Sequence, residues 1–129
     1  MIKAETTSNH AAKTVVWDGH ITMEPAEGEV VVHIEGREVA RSQNAILFHE
    51  GDRAPIYYIP RIDIDETYLV PSDLRTHCKW KGEAQYLSYQ SDDVNIENVL
   101  WLYPEAHDQV AAIRGYVSFA LDRVEVSVV

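Results

Sequence analysis

The sequence predicts a mostly β protein that forms a single domain with one or two short helices. Residues 30–35 and 84–89 are interpreted as period-two strand patterns, of the kind that a strand with one buried face shows. Turn signals built on Gly, Pro, Asp and Ser recur every dozen residues or fewer, which is typical of many short strands. The chain shows no strand–helix–strand alternation, which argues against a doubly wound parallel fold.

We expect a polar N-terminal arm over residues 1–13 and the β domain over residues 14–129. Short strands are predicted at 14–17, 20–23, 30–34, 39–40, 46–48, 56–59, 68–70, 84–89 and 99–103. Pro60, Pro71 and Pro104 follow such runs, and proline favours a strand end because it cannot donate to a ladder. Ser72 is predicted to cap a short turn that ends at Arg75.

Two helical segments are predicted. One is a single turn over residues 62–67, and the other, the longest helix, lies between Glu105 and Arg114. Gly115 follows it at the position of a C-cap. The remaining residues, 116–129, form two apolar stretches that meet near residues 122–123.

Composition narrows the class of protein. The 129 residues include 11 Lys and Arg against 21 Asp and Glu, for a formal charge of −10, so we expect no nucleic-acid partner. Cys78 is the only cysteine, which excludes an intramolecular disulfide and a cysteine-rich zinc site. The sequence shows neither a membrane-spanning apolar run nor a signal-peptide core, so we expect a cytoplasmic protein with no membrane partner.

Residues 75–82 hold three cations, a histidine and the only thiol. Nearby positive charge favours a thiolate, which makes Cys78 a candidate nucleophile. In a regular strand, however, Lys79 and Lys81 face away from Cys78, so activation requires a turn, a bulge or a partner from elsewhere in the chain. The alternative is a buried cysteine that packs beside Trp80.

A second polar stretch, residues 57–66, holds two tyrosines, an arginine and carboxylates that are suited to lining a pocket. Asp63 and Asp65 have the spacing of a divalent-metal pair, but a solvated acidic turn is favoured, and we expect no metal or other cofactor. The sequence lacks the histidine spacings of zinc enzymes and the motifs of dinucleotide, P-loop and α/β-hydrolase sites.

Several motifs in fixed order resemble the domain-of-unknown-function-427 family of bacteria and fungi, from about His20 to the C-terminus. The motifs are Gly-Arg-Glu-Val-Ala-Arg-Ser at 36–42, Glu50, Tyr-Tyr-Ile-Pro-Arg-Ile-Asp-Ile at 57–64, Thr-His-Cys-Lys-Trp-Lys-Gly-Glu-Ala-Gln-Tyr at 76–86, Trp-Leu-Tyr-Pro at 101–104 and Ile-Arg-Gly-Tyr-Val-Ser-Phe at 113–119.

The resemblance implies a compact domain of strongly coiled antiparallel sheets, similar to the Mss4-like or β-tent architecture. Those relatives often hold zinc through four cysteines, and we expect this chain to lack that site. The family is sometimes labelled nucleotidyltransferase. A polymerase-type transferase needs Gly-Ser followed by Asp-x-Asp, and no Gly-Ser occurs here.

The motifs of the family supply the candidate site. Its candidate catalytic residues are Glu50, Cys78 and Lys81, and its candidate ligand-binding residues are Tyr57, Arg61, Asp63 and Tyr86. In the predicted arrangement, Arg61 pairs with Glu50 or Asp63, and Lys81 binds an anion. Cys78 is the nucleophile or a redox-sensitive contact, and Tyr57 is a hydrogen-bond donor.

Two hypotheses of function follow. The first is a polar pocket for a small anionic or carbonyl-bearing molecule, with or without catalysis. The second is a non-catalytic structural or protein-interaction module, because no complete catalytic motif is present. A homodimer is compatible with both, since exposed strand edges need covering.

Overall fold

The computed structural model describes residues 13–129, so the predicted arm lies outside the described residues apart from Lys13. Eleven strands form within this range, and they are, in chain order, β1 (Thr14–Val16), β2 (Ile21–Pro25), β3 (Val30–Ile34), β4 (Arg37–Ser42), β5 (Ile46–Glu50), β6 (Ile56–Pro60), β7 (Leu69–Cys78), β8 (Gly82–Gln90), β9 (Asn95–Leu102), β10 (Tyr116–Phe119) and β11 (Glu125–Val128). The prediction of one mostly β domain is confirmed.

The strands form two antiparallel sheets. The larger has eight strands in the order β1-β2-β5-β6-β10-β9-β8-β7, and the smaller has three in the order β11-β3-β4. Trp17 follows β1 and Trp80 precedes β8, at opposite ends of the larger sheet, yet their ring centroids are 5.1 Å apart. The larger sheet therefore coils until its two ends meet, as a strongly twisted sheet of many strands must curl or split.

Two apolar cores lie on opposite faces of the larger sheet. The first includes Val32 of the smaller sheet together with Ile59 and Leu100. The second includes Phe48 and Tyr58. Tyr58 and Ile59 are neighbours on β6 and enter different cores because successive side chains of a strand point to opposite faces.

Three 3₁₀ helices account for the helical structure of the described chain: Trp17–Gly19, Arg61–Asp63 and Asp108–Ile113. The longest of them lies inside the predicted 105–114 segment, and its apolar residues Val110 and Ile113 are buried. It is not an α-helix, since Val110 leaves helical geometry at φ −118° and ψ 29°. A segment this short gains too few hydrogen bonds to offset helix nucleation.

The predicted turn from Ser72 to Arg75 is wrong, because β7 continues through it to Cys78. Strand β7 lies at the edge of the sheet and pairs only with β8, so an edge position tolerates the missing N–H of Pro71. The register shifts between Pro71 and Arg75, and the Ser72 hydroxyl accepts a local bond from the Leu74 N–H at 3.1 Å.

Within residues 13–129, no helix has the length and apolar character needed to cross a membrane.

Candidate functional site

Two adjoining cavities open where the end of β5 meets the turn between β7 and β8. The aromatic cavity, of about 300 Å³, is lined by Phe48, Glu50, Arg53, Ala54, Ile56, Lys81, Tyr86, Trp101 and Tyr103. The thiol cavity, of about 470 Å³, is lined by His20, Glu50, Gly51, Asp52, Arg53, His77, Cys78, Lys79, Trp80, Lys81 and Tyr103. Four residues line both cavities, so the two form one continuous candidate site.

A buried ion pair joins the two cavities. Lys81 Nζ donates to Glu50 Oε1 at 2.9 Å, and the residues are 5% and 8% exposed. Glu50 ends β5 and Lys81 ends the turn after β7, so the coiling of the sheet brings them together. Charges this deeply buried persist only when they are paired.

The Lys81 ammonium also faces two aromatic rings. Its nitrogen lies 5.2 Å from the ring centroid of Phe48 and 5.3 Å from that of Tyr103, within the range of cation–π attraction. An ammonium carries three N–H donors, and Glu50 is the one side-chain acceptor that Lys81 has within the described chain. The site therefore retains capacity for another acceptor.

Glu50 has two further cationic or titratable neighbours. Arg53 Nη1 lies 4.0 Å from Glu50 Oε1, and His20 Nε2 lies 3.8 Å from Glu50 Oε2. The His20 ring packs against Trp80 with centroids 4.2 Å apart. Its Nε2 is buried with no hydrogen-bond partner among residues 13–129.

The lining of the two cavities carries excess positive charge. It includes the carboxylates of Glu50 and Asp52 and the cations of Arg53, Lys79 and Lys81. With neutral histidines, three positive charges face two negative ones, in a chain whose formal charge is −10. The site is thus a local exception to the acidic composition.

The turn that positions Lys81 is fixed on both sides. The Lys81 N–H donates to the Cys78 carbonyl at 3.3 Å, and the His107 N–H donates to the Lys81 carbonyl at 3.0 Å. Gly82 follows with φ +112°, a left-handed conformation that favours glycine. A Cβ there would also lie 3.4 Å from the His107 ring.

This turn also explains how Cys78 and Lys81 can line one cavity, although a regular strand would place them on opposite faces. Strand β7 ends at Cys78, so the alternation of a regular strand does not extend to Lys81. Cys78 and Lys81 line the same cavity. Cys78 is half-buried and packs against the second core, so both interpretations of the thiol retain structural support.

Burial favours the neutral form of Tyr103 in the site and of Tyr58 in the second core. Burial raises the pKa of Tyr103 well above its ordinary value of 10, with smaller contributions from Cys78, Tyr86 and Glu50. Burial likewise raises the pKa of Tyr58, whose hydroxyl accepts a hydrogen bond from Trp101 Nε1 at 3.3 Å. Tyr103 therefore remains a potential hydrogen-bond donor at neutral pH.

The structure brings together four of the seven predicted site residues. Glu50, Cys78 and Lys81 line the thiol cavity, and Tyr86 lines the aromatic cavity beside Glu50 and Lys81. The Tyr86 hydroxyl is 2.7 Å from Thr76 Oγ1, which ties β8 to β7 at the cavity.

The other three predicted residues lie outside this lining. Tyr57 packs against the first core, on the face of β6 opposite Tyr58. The predicted pairing of Arg61 with Glu50 or Asp63 is wrong, because Arg61 Nε and Nη2 donate to the two oxygens of Glu66 at 2.8 Å. Asp63 closes the 3₁₀ helix that begins at Arg61.

Sequence reasoning missed several residues of the site, namely His20, Phe48, Arg53, Trp101 and Tyr103. A signal existed for three of them. Trp101 and Tyr103 have period-two spacing, as do Phe48 and the identified Glu50, so each pair is expected on one side of the chain. No comparable pattern marks Arg53 or His20.

Among residues 13–129, no group of three or more His, Cys, Asp or Glu side chains is arranged to hold a metal ion. Asp65, half of the spaced aspartate pair, instead accepts from Arg37 Nη2 at 2.7 Å and from the Thr67 hydroxyl at 2.6 Å.

Comparison with known proteins supports the motif-based assignment. No curated protein matches the chain. A family model described as a domain of unknown function, DUF427, matches residues 22–129, which include every lining residue of the two cavities except His20. The chain belongs to the DUF427 family.

Proposed function

We propose that the two cavities bind a small molecule that has a flat apolar body and an anionic or carbonyl oxygen. The observation that carries this proposal is the ammonium of Lys81, a residue only 5% exposed, which is bonded through one of its three donors in the described chain. Buried donors without acceptors are costly, so a ligand oxygen offers a favourable partner.

The aromatic residues that line the cavity favour a ligand with a flat apolar part. Phe48, Tyr86, Trp101 and Tyr103 line the aromatic cavity, and aromatic side chains favour stacked or edge-on contact with another ring. A cavity of about 300 Å³ is at the small end of ligand pockets. A single substituted ring suits that size.

The charges of the cavity lining favour a ligand with an anionic or carbonyl oxygen. Arg53 and Lys81 both lie within 4.0 Å of Glu50 Oε1, so two cations flank one carboxylate and one positive charge is left for a ligand oxygen. Arginine is suited to bidentate contact with a carboxylate. An anion is favoured over a cation here because Arg53 and Lys81 outnumber Glu50, the one carboxylate that they flank.

The rival function, a structural or protein-interaction module, also has an observation in its favour. Glu50 and Lys81 already neutralise each other at 2.9 Å, as a purely structural tie would. Under that alternative the cavities bind nothing. The Mss4-like or β-tent relationship, a bacterial cytoplasmic setting, a homodimer and the lack of nucleic-acid binding remain predictions under both proposals.

Thermal unfolding with a panel of small ligands tests the proposal. Phenylacetate and phenylpyruvate are expected to raise the melting temperature, whereas phenethylamine, which has a cation in place of the anion, is not. A ligand at a hundred times its Kd stabilises the folded state by about 2.7 kcal/mol.

A matched pair of variants locates the binding. The Glu50→Leu, Lys81→Met double variant removes the ion pair as a unit and is expected to abolish the ligand-induced shift. Lys79→Met changes the exposed lysine of the same turn and is expected to keep most of it. A shift that persists in the double variant, or no shift with any ligand of the panel, contradicts the proposal.

A further inference from the structure

We infer that Lys81 forms a covalent imine with the ketone carbon of a small 2-oxo acid whose carboxylate pairs with Arg53. This inference rests on the proposed function and adds to it a ligand class and a chemical step. It follows from three features of the site: a proton acceptor beside the amine, a second cation at the correct place, and shielding from water.

The proton acceptor is Glu50. An ammonium must lose a proton before its nitrogen can attack a carbonyl, and Glu50 Oε1 lies 2.9 Å from Lys81 Nζ in a hydrogen bond. Transfer of the proton along this bond gives a neutral amine and a neutral carboxylic acid. Because both groups are then uncharged, the amine can leave the pair without leaving an unpaired charge buried in the protein.

The second cation is Arg53. Its Nη1 lies 4.0 Å from the same Glu50 oxygen that Lys81 contacts, and its side chain is 77% exposed, so it is free to turn towards a ligand. In a 2-oxo acid the carboxylate is bonded directly to the ketone carbon. Because Arg53 and Lys81 both reach the same Glu50 oxygen, Arg53 can hold the carboxylate while the ketone carbon lies beside the Lys81 amine.

The Lys81 amine is shielded from water because it is buried. The Lys81 side chain is 6% exposed and lies beside the rings of Phe48 and Tyr103. Exclusion of bulk water protects reactive intermediates from hydrolysis. The exposed Lys79 of the same turn lacks this protection.

The step balances without any further reactant. The Lys81 nitrogen forms a bond to the ketone carbon, and the carbonyl electron pair moves to oxygen to give a carbinolamine after proton transfer. Glu50 then returns its proton to the departing hydroxyl, the C–O bond breaks, and one water leaves. The product is a protonated imine paired with the Glu50 carboxylate, so the net reaction is ammonium plus ketone giving iminium plus water.

Reductive trapping tests the inference. The protein is incubated with phenylpyruvate and sodium cyanoborohydride, and the adduct is located by intact mass and peptide mapping. We expect one adduct per chain, on Lys81 and not on Lys79. Phenyllactate, which has the acid but no ketone, is expected to form no adduct and to compete with phenylpyruvate.

Two variants separate the roles of the cations. Lys81→Arg keeps a cation beside Glu50 and is expected to abolish the adduct. Arg53→Gln is expected to weaken phenylpyruvate capture roughly ten- to a hundredfold, as expected for one lost charge-assisted hydrogen bond. It is expected to leave capture of the uncharged phenylacetaldehyde nearly unchanged.

The outcomes distinguish this inference from the proposed function. If phenylpyruvate and phenyllactate both raise the melting temperature but no adduct forms on Lys81, the imine is wrong and the binding site stands. Equal labelling of Lys79 and Lys81 also overturns the imine inference. If neither ligand binds or reacts, both proposals fail.

Discussion

At the scale of single residues, the Glu50–Lys81 pair dominates the energetics of the site. Each partner is nearly buried, so each has lost most of its hydration. Loss of one partner strands the other charge, whereas replacement of both by apolar residues of similar size removes both desolvation penalties. Single and double substitutions at the pair are therefore expected to differ sharply.

We expect Glu50→Leu to lower the free energy of unfolding by about 3–5 kcal/mol, because it leaves the Lys81 ammonium buried without its carboxylate. The Glu50→Leu, Lys81→Met double variant is expected to recover most of that loss. Urea denaturation of both variants and of Lys81→Met alone provides the measurement. Additive losses in the double variant contradict the assigned coupling.

Cys78 is expected to react with a thiol reagent in the folded protein, because it is half-buried and lines the thiol cavity. A ligand of the site should slow this reaction. Cys78→Ser is expected to cost about 1 kcal/mol or less, since the site is only partly desolvated. Labelling only after global unfolding, with a larger stability loss, would instead identify Cys78 as a core residue.

The residue types of the site were more predictable than their partners. The cation-rich segment 75–82 identified Cys78 from local sequence, and the motifs of the family added Lys81. The partner of Lys81 was not identifiable in this way, because Glu50 lies 31 positions away and reaches Lys81 only through the coiling of the sheet. Arg61 was expected to pair with Glu50 or Asp63, but it pairs with Glu66, five positions away, through two hydrogen bonds.

At the scale of elements, the turn between β7 and β8 sets the direction of Lys81. Gly82 has φ +112° and Gly115 has φ +81°, so alanine is strained at both positions. Only at Gly82 would the new Cβ also contact a neighbour, the His107 ring at 3.4 Å. A comparison of alanine substitutions at the two glycines therefore separates the effect of backbone strain from the effect of damage to the site.

Gly82→Ala and Gly115→Ala are each expected to destabilise the protein by about 1–3 kcal/mol, the usual cost of a strained backbone conformation. Only Gly82→Ala is expected to weaken ligand binding, because it moves the turn that carries Lys81. Denaturation curves and ligand-induced melting shifts measure the two effects. Equal loss of binding in both variants argues against a specific role for the turn.

The elements with clear periodicity were predicted correctly, whereas the edge strand β7 was predicted only in part. The alternation at residues 84–89 identified β8, and the hinge near residues 122–123 separates β10 from β11 as expected. Strand β7 was cut short in the prediction because Pro71 and Ser72 are turn signals. Proline usually ends a strand because it has no N–H to donate to the neighbouring strand. In an edge strand one side has no neighbour, so the strand can continue through Pro71.

At the scale of the whole molecule, the coiled larger sheet and the acidic composition have separate consequences. Coiling brings Trp17 against Trp80 and so joins the two ends of the sheet beside the site. No local pattern in the sequence encodes that contact, because it depends on the order of eight strands. The net charge is read directly from composition, but its effect on stability depends on which carboxylates are paired.

Two neighbouring carboxylates are held in the charged form. Hydrogen bonds from Thr67, with a contribution from Arg37, lower the pKa of Asp65 below its ordinary value of 3.8. The hydrogen bonds from Arg61 lower the pKa of Glu66 below 4.5. A depressed pKa in the folded state gives stability that is present above the unfolded value and is lost as the pH falls through the folded value.

We therefore expect this contribution to disappear from about pH 4.5 downwards. Reduced repulsion between carboxylates acts in the opposite direction as the pH falls from 7 towards the sequence pI of about 4.9. The Asp65→Asn, Glu66→Gln double variant is expected to lose less stability than the native protein between about pH 5 and about pH 3. The Asp92→Asn, Asp93→Asn variant removes the same charge from an exposed turn and is expected to keep the native pH dependence. The free energy of unfolding of each variant is measured by urea denaturation at each pH. Identical pH profiles for the two variants would show that overall charge, rather than the pairing of Asp65 and Glu66, governs the loss of stability in acid.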